Sequence, residues 1–416
     1  MNGDNGSELR YCSPFHGGWD IARMALLIPE SRILFICPSS CARIIALNAL
    51  RSGLCGRLAV YGLSQQEIVM DDYAAATLDS MRRLIAIPGP RPKVMILFVS
   101  CIDSMLATDH QAELDTLSAE YPDIHFMLMR MNPICQHPQG QLPLFKLQQD
   151  IFGLLDGLGP ADPRQVALIG SNLPLSPDSE LAGHLADNGL RLTHISRCAT
   201  YHDFQGLAKA RLNLVTTPYG LDAAEMLLQK FATPYVRLSV INSFDAFDHD
   251  LAMICQALDI ASPDLAAQRQ LTVAALHQAA AALAGRPVVV DGSAVWHPLS
   301  LAALLADHGF NVQAVYVGTP VDAGPAVTQL AARGIEIIDA GHHVMPARRQ
   351  TAARDIVAIG QLGGCFAAAS HVVDLFCDSG LWGYQGLRRL AALMTASAAV
   401  THTVGDIARE AERCTV

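Results

Sequence analysis

Charge is scarce in this 416-residue chain, where 16% of residues are charged and 51% are hydrophobic. That balance excludes an intrinsically disordered chain, and it is apolar enough to predict buried subunit interfaces as well as cores. The charge present sums to −10. No basic stripe interleaved with aromatics is found, so neither nucleic acid nor an anionic membrane is expected as a partner. Long apolar runs are missing too. The longest, such as residues 94–99, have the length of a strand, far short of the about 20 residues of a membrane helix. The opening residues, MNGDNGSELRY, lack the basic and apolar regions of a secretory signal, which predicts a cytoplasmic protein. Phosphate-binding glycine patterns are also wanting. There is no GxxxxGK followed by Ser or Thr and no well-placed GxGxxG, so this chain is not expected to hydrolyse nucleotide itself.

What is there is a rhythm of short apolar strand, Gly/Pro/Ser turn and helical segment, which predicts α/β units on parallel sheets. In the first third, strands are expected at 32–36, 58–61, 94–99 and 124–129. Helices are expected at 19–27, 42–52, 74–85 and 111–120, before an irregular Pro- and Gln-rich stretch at 132–143. Strands at 166–169, 190–195, 212–215 and 236–240 and a helix at 221–231 continue the pattern. The segment 261–284 reads as a helix capped by Ser262 and closed by Gly285. Strand, turn, helix and strand recur from Arg286, with further strands at 335–338, 356–359 and 372–376 and a terminal helix at 386–397. The length calls for more than one domain. The expected fold is α/β, with three consecutive Rossmann-like domains on parallel sheets: 1–160, 161–285 and 286–416. The turn Asp291-Gly292-Ser293 can hold an anion at a helix start, though an ordinary strand-to-helix turn is the plainer reading.

Eleven cysteines are the unusual feature. In a cytoplasmic protein they read as core residues, metal ligands or redox groups and not as disulfides. Cys12 precedes a PFHGG loop. Cys41 ends the strand–loop–helix junction ILFICPSSCARIIAL, and Cys101 ends the apolar run VMILFVS. A helix start stabilises a thiolate, and strand C-terminal ends in a parallel sheet share one edge. Three thiols at loop and strand ends of one domain point to an iron–sulfur cluster. The bland reading of any one cysteine is buried core, and it suits Cys55, Cys135, Cys198, Cys255 and Cys414. Cys37 and Cys41 are spaced i, i+4, which is a poor zinc signature, although a zinc site stays open.

These residues give the chain a resemblance to the nitrogenase component 1 family. Its first domain carries a cysteine near the start, one in a motif like H-G-P-x-G-C, and one in a motif like V-S-x-C-x-x-x-x-I-G-D-D. Cys12, Cys41 in ICPSSC and Cys101 in FVSCIDSMLATD match them in order and separation. The resemblance covers nearly the whole chain, with its specific motifs in the first quarter. It implies that Cys12, Cys41 and Cys101 are metal ligands. They would supply half of a P-type eight-iron cluster shared with a second subunit, or part of a 4Fe-4S cluster. Ser100, His16 and the Gly17–Gly18 backbone are candidates to tune its potential.

The departures from the family are informative. Cys37 stands where the family has a glycine, and its role is open. The family's catalytic subunit binds its complex iron–sulfur cofactor through a cysteine after an N-L-V strand; here Thr216 and Thr217 occupy that place. No histidine falls in register with the cofactor histidine. His371 is nearest, and Cys365 and Cys377, which flank it, read as core. The pair His342 and His343 reads as an ordinary loop. No catalytic residue is therefore assigned, and the resemblance implies a β-type subunit of a nitrogenase-like reductase. Its partners would be a homologous α-type catalytic subunit, in an α2β2 heterotetramer, and a P-loop ATP-dependent iron–sulfur reductase. The short length without an N-terminal extension fits a nitrogenase-like enzyme. The preferred member is a methylthio-alkane reductase, which cleaves carbon–sulfur bonds. The alternatives are a tetrapyrrole-type reductase, a non-catalytic cofactor-assembly scaffold and a zinc-bound α/β binding protein.

Overall fold

The computed structural model describes residues 25–51, 53–130, 143–157, 159–239, 242–317, 325–339, 354–375 and 380–413. Within them the chain forms three sheets in which every strand pair is parallel. The first holds β1 (Ser31–Cys37), β2 (Leu58–Gly62), β3 (Val94–Val99) and β4 (His125–Arg130), in the order β2-β1-β3-β4. The second holds β5 (Asp162–Ile169), β6 (Arg191–His194), β7 (Ala210–Val215) and β8 (Tyr235–Arg237), in the order β6-β5-β7-β8. The third holds β9 (Pro287–Asp291), β10 (Asn311–Val317), β11 (Glu336–Asp339), β12 (Arg354–Ile359) and β13 (Ala369–Val373), in the order β11-β10-β9-β12-β13.

Each sheet is wound outward from its centre, so each has one pair of neighbouring strands whose following connections diverge. These pairs are β1/β3, β5/β7 and β9/β12. A crevice opens there beyond the strands' C-terminal ends, and in open α/β sheets ligands bind in it.

The central strands are near-continuous apolar runs because helices cover both faces. Ile33, Phe35 and Cys37 of β1 join Val94, Ile96 and Phe98 of β3 in one core. Leu34 and Ile36 join Met95, Leu97 and Val99 in another, on the opposite face. The first of these cores runs on into the second sheet through Ile169 and Val215 and takes in Leu227 of helix Leu221–Phe231. A third core spans the second and third sheets. Polar ties reinforce that junction. Arg388 in helix Gly383–Ala399 pairs with Glu180 at 3.0 Å, and the Tyr384 hydroxyl donates to Asp248 at 2.8 Å.

Several expected elements lie where the apolar pattern put them, with ends shifted by a few residues; helices Gln111–Glu120 and Leu221–Phe231 keep their expected limits. One expected cap is wrong. The long helix begins at Ala266, not beside Ser262, and the Asp264 carboxylate accepts from the Ala266 amide at 2.9 Å. Helix Phe244–Leu258 was not anticipated. Cys55 is exposed, which corrects the core reading for that residue, whereas Cys255 is buried. Cys135, Cys377, Cys414 and all of the expected irregular stretch 132–143 but Pro143, which begins helix Pro143–Gly153, lie outside the described residues.

The second crevice is packed backbone against backbone. A Cβ on Gly220 would lie 2.7 Å from the Gly170 Cα, whereas one on Gly206 meets nothing within 4 Å. Gly220→Ala should therefore lower the unfolding free energy by about 1–3 kcal/mol, and Gly206→Ala by no more than about 0.5 kcal/mol, as read by urea denaturation.

Candidate metal centre

The first crevice gathers thiols. β1 ends at Cys37, and helix Ser39–Arg51 starts two residues later, carrying Cys41 in its first turn. β3 ends at Val99, Ser100 caps the next helix, and Cys101 is the first residue of that helix, Cys101–Leu106. Because β1 and β3 are adjacent and Ile36 pairs with Val99, both junctions leave the same edge of the sheet side by side. Two predicted ligands, Cys41 and Cys101, are thus brought to one crevice, and both are half-buried. The third, Cys12, lies outside the described residues, as do His16, Gly17, Gly18, His342 and His343.

Cys37 differs from these two. Its side chain is fully buried in the core beneath the crevice. Burial first, then the neighbouring Cys41 and Asp103, push its thiol up to about 12. A thiol that holds its proton so tightly is a poor metal ligand unless a metal displaces that proton.

Among the described residues no group of three His, Cys, Asp or Glu side chains is placed to hold a metal ion. Cys41 and Cys101 by themselves make an incomplete donor set. Their chemistry nonetheless suits an iron–sulfur group. They are soft ligands at neighbouring helix starts, where backbone N–H groups favour an anionic group.

Behind Cys101 lies a polar network that the sequence did not reveal. Asp103, the third residue of the Cys101–Leu106 helix, is fully buried. It receives the Ser100 amide at 3.2 Å, the Tyr73 hydroxyl at 2.9 Å and His110 Nε2 at 2.8 Å.

The second crevice is closed. Thr216 and Thr217 are buried, and their hydroxyls donate to the carbonyls of Ile169 and Gly170 on the neighbouring junction. His194 at the end of β6 completes this edge. Its Nε2 donates to the Ser171 carbonyl at 3.0 Å and its Nδ1 accepts from the Ser196 amide at 3.2 Å.

The third crevice is filled from within. Asp291 accepts from the amides of Ser293 at 2.8 Å, Ala294 at 3.1 Å and Gly363 at 2.6 Å. The N–H groups that would have bound an external anion are taken by this carboxylate, so Asp291-Gly292-Ser293 is the ordinary turn of the plainer reading. His371 is buried, with Nδ1 2.9 Å from the Ser397 and Val400 carbonyls and Nε2 3.0 Å from Asp355. Cys365 is half-buried against the same sheet's core. A cavity of about 330 Å³ lined by Asp248, Ser262, Asp264 and Arg269 lies beside helix Phe244–Leu258, away from Cys41 and Cys101.

A family model described as nitrogenase component 1 type oxidoreductase matches residues 18–398. The solved structure of nitrogenase Cp1 at pH 6.5 is similar in fold, with 14% identity over 96% of this chain and 95% of that chain and a TM-score of 0.69. Nitrogenase Cp1 at pH 5 gives 14% identity over 95% of this chain and 91% of that one, with a TM-score of 0.63. No curated protein sequence matches.

Two outcomes follow from the electrostatics of these edges. In cluster-free protein at pH 8, the Cys37 thiolate fraction is on the order of 10⁻⁴. Iodoacetamide followed by mass spectrometry should therefore label exposed Cys55 and spare Cys37. Burial, helped by the Arg197 charge and partly offset by the bond to Ser171, lowers the His194 pKa to about 4 from 6.5. A depressed histidine contributes stability that is fully present above 6.5 and is lost as pH falls toward 4. Urea unfolding should show this decline, on the order of 2 kcal/mol, and His194→Asn should flatten it.

Proposed function

This chain belongs to the nitrogenase component 1 type oxidoreductase family, and we propose that it is the β-type subunit of a nitrogenase-like reductase. The observation that carries this reading is the contrast between crevices. The first presents Cys41 and Cys101 side by side. The second, where the resemblance puts the cysteine of the catalytic cofactor, is shut by Thr216 and Thr217. In this reading Cys12, Cys41 and Cys101 hold this chain's half of a P-type iron–sulfur cluster. The complex cofactor resides in a homologous α-type subunit of an α2β2 assembly.

When bound, the cluster supplies one-electron storage and relay. The chain's own contributions are three. Cys41 and Cys101 present thiolates at helix starts, whose N–H groups offset the negative charge of a thiolate-ligated group. The core beneath, with Cys37 protonated inside it, keeps water from the inner side of the crevice. Ser100 caps the Cys101 helix and fixes the direction of its first turn. Electrons would arrive from a separate P-loop ATP-dependent reductase.

A cytoplasmic location is part of this reading; among the described residues no helix is long and apolar enough to cross a membrane. The division into 1–160, 161–285 and 286–416 assigns one sheet to each domain. Carbon–sulfur cleavage of methylthio-alkanes is the preferred reaction. The alternative is a tetrapyrrole-type reductase, which would use a four-iron cluster and no complex cofactor.

Anaerobic co-purification with its partner, followed by iron counting and EPR, tests this reading. About eight irons at the interface of each heterodimer support the P-type relay, and about four support the tetrapyrrole type. The triple variant Cys12→Ala, Cys41→Ala, Cys101→Ala should lose the cluster iron, and Cys37→Ala should keep it. Iron retained by the triple variant would sink the ligand assignment. Turnover of ethyl methyl sulfide checks the reaction.

A further inference from the structure

We propose that Asp103, held by Tyr73 and His110, is a positioning residue for Cys101: it fixes the helix that begins with this cysteine and biases the group bound there toward a lower reduction potential. The proposal rests on the reading of Cys101 as a cluster ligand.

Its basis is geometric. Asp103 is 0% exposed, His110 0% and Tyr73 2%. Three donors from three places in the chain converge on one carboxyl group: the Ser100 amide, the Tyr73 hydroxyl and His110 Nε2. Such a set matches the acceptor-only inventory of a carboxylate. His110 Nδ1 has no hydrogen-bond partner among the described residues, so the polar anchoring of this buried ring is to Asp103 alone. Filling the same space with apolar side chains would be no less stable in general, because burying a carboxylate costs desolvation. The network therefore calls for a role beyond packing.

Asp103 controls both ends of the short helix. At the start, its side chain closes a capping box with Ser100, whose hydroxyl oxygen accepts the Ile102 amide at 3.4 Å. At the end, its carbonyl accepts from the Ala107 amide and, at 2.9 Å, from the Thr108 amide. Ala107 is left-handed there, with φ of 58°. Thr108 then donates to Asp71 at 2.7 Å and lies 3.0 Å from the Tyr73 hydroxyl, which ties the helix to the neighbouring crossover. Cys101 therefore sits at the head of a helix that cannot rotate without breaking bonds to a buried charge.

The same charge reaches the thiols. Asp103 is one of the groups that hold the Cys37 proton in place, so its field extends across the crevice from β3 to β1. A fixed negative charge near a redox group disfavours adding an electron. Tyr73 and His110 temper the field by hydrogen bonding.

The test is a potentiometric EPR titration of the anaerobically purified holo-complex. Asp103→Asn keeps the shape of the side chain and removes its charge. It should move the cluster midpoint to a more positive potential at unchanged iron content. Tyr73→Phe removes one donor and leaves the charge, so it should move the midpoint the other way. Should Asp103→Asn not fold, the negative shift in Tyr73→Phe still decides. Midpoints unmoved from wild type in the variants that fold overturn the proposal and leave the cluster reading standing. A wild-type complex with no cluster signal, or iron kept by Cys101→Ala, overturns the cluster reading and this proposal with it.

Discussion

A parallel sheet collects all its strand C-termini, and the N–H ends of the helices that follow, along one edge. Where the winding reverses, that edge opens into a crevice lined with unpaired backbone donors. Among the described residues the three crevices differ in what occupies them. An internal carboxylate occupies the third, through Asp291 and the amides of Ser293, Ala294 and Gly363. Threonine hydroxyls and a glycine–glycine contact occupy the second. The first presents Cys41 and Cys101, and it stands on β1 and β3, whose side chains are buried on both faces.

The contrast among the thiols follows from depth. Cys37 belongs to the strand, where alternation sends its side chain into the core. Its proton is retained because the charged form has no solvent to stabilise it. Cys41 and Cys101 belong to the helices that follow and are half-buried. Four residues across one strand-to-helix junction thus separate a packing thiol, Cys37, from a candidate ligand, Cys41. Asp103, two residues after Cys101, is buried with its donors already arranged.

Much of the architecture was legible from pattern. Apolar runs such as residues 94–99 need helices on both faces, and the strand–turn–helix alternation leaves little but parallel α/β sheets. Segments that depend on tertiary partners were not legible. Helix Phe244–Leu258 has an acidic, aromatic beginning without a side-chain cap, and it is stabilised by burying Phe247, Leu251 and Ile254 in the shared core. Ser262 looked like a cap, yet the helix starts four residues later, beside Asp264.

The sequence by itself determined the fold class, the positions of Cys41 and Cys101 at strand–helix junctions, and the threonines Thr216 and Thr217 after a strand end. These are local properties, set by apolar periodicity and by residue identity at turns. Only the tertiary structure decided that β1 and β3 are neighbours, and hence that the two cysteine junctions share a crevice. It also decided that Thr216 and Thr217 turn inward to seal the second crevice, and that Tyr73 and His110 meet on Asp103. The physical reason is the same in each case. Strand order and hydrogen-bond partners depend on contacts between residues far apart in the chain, and a single sequence carries no local signal for them.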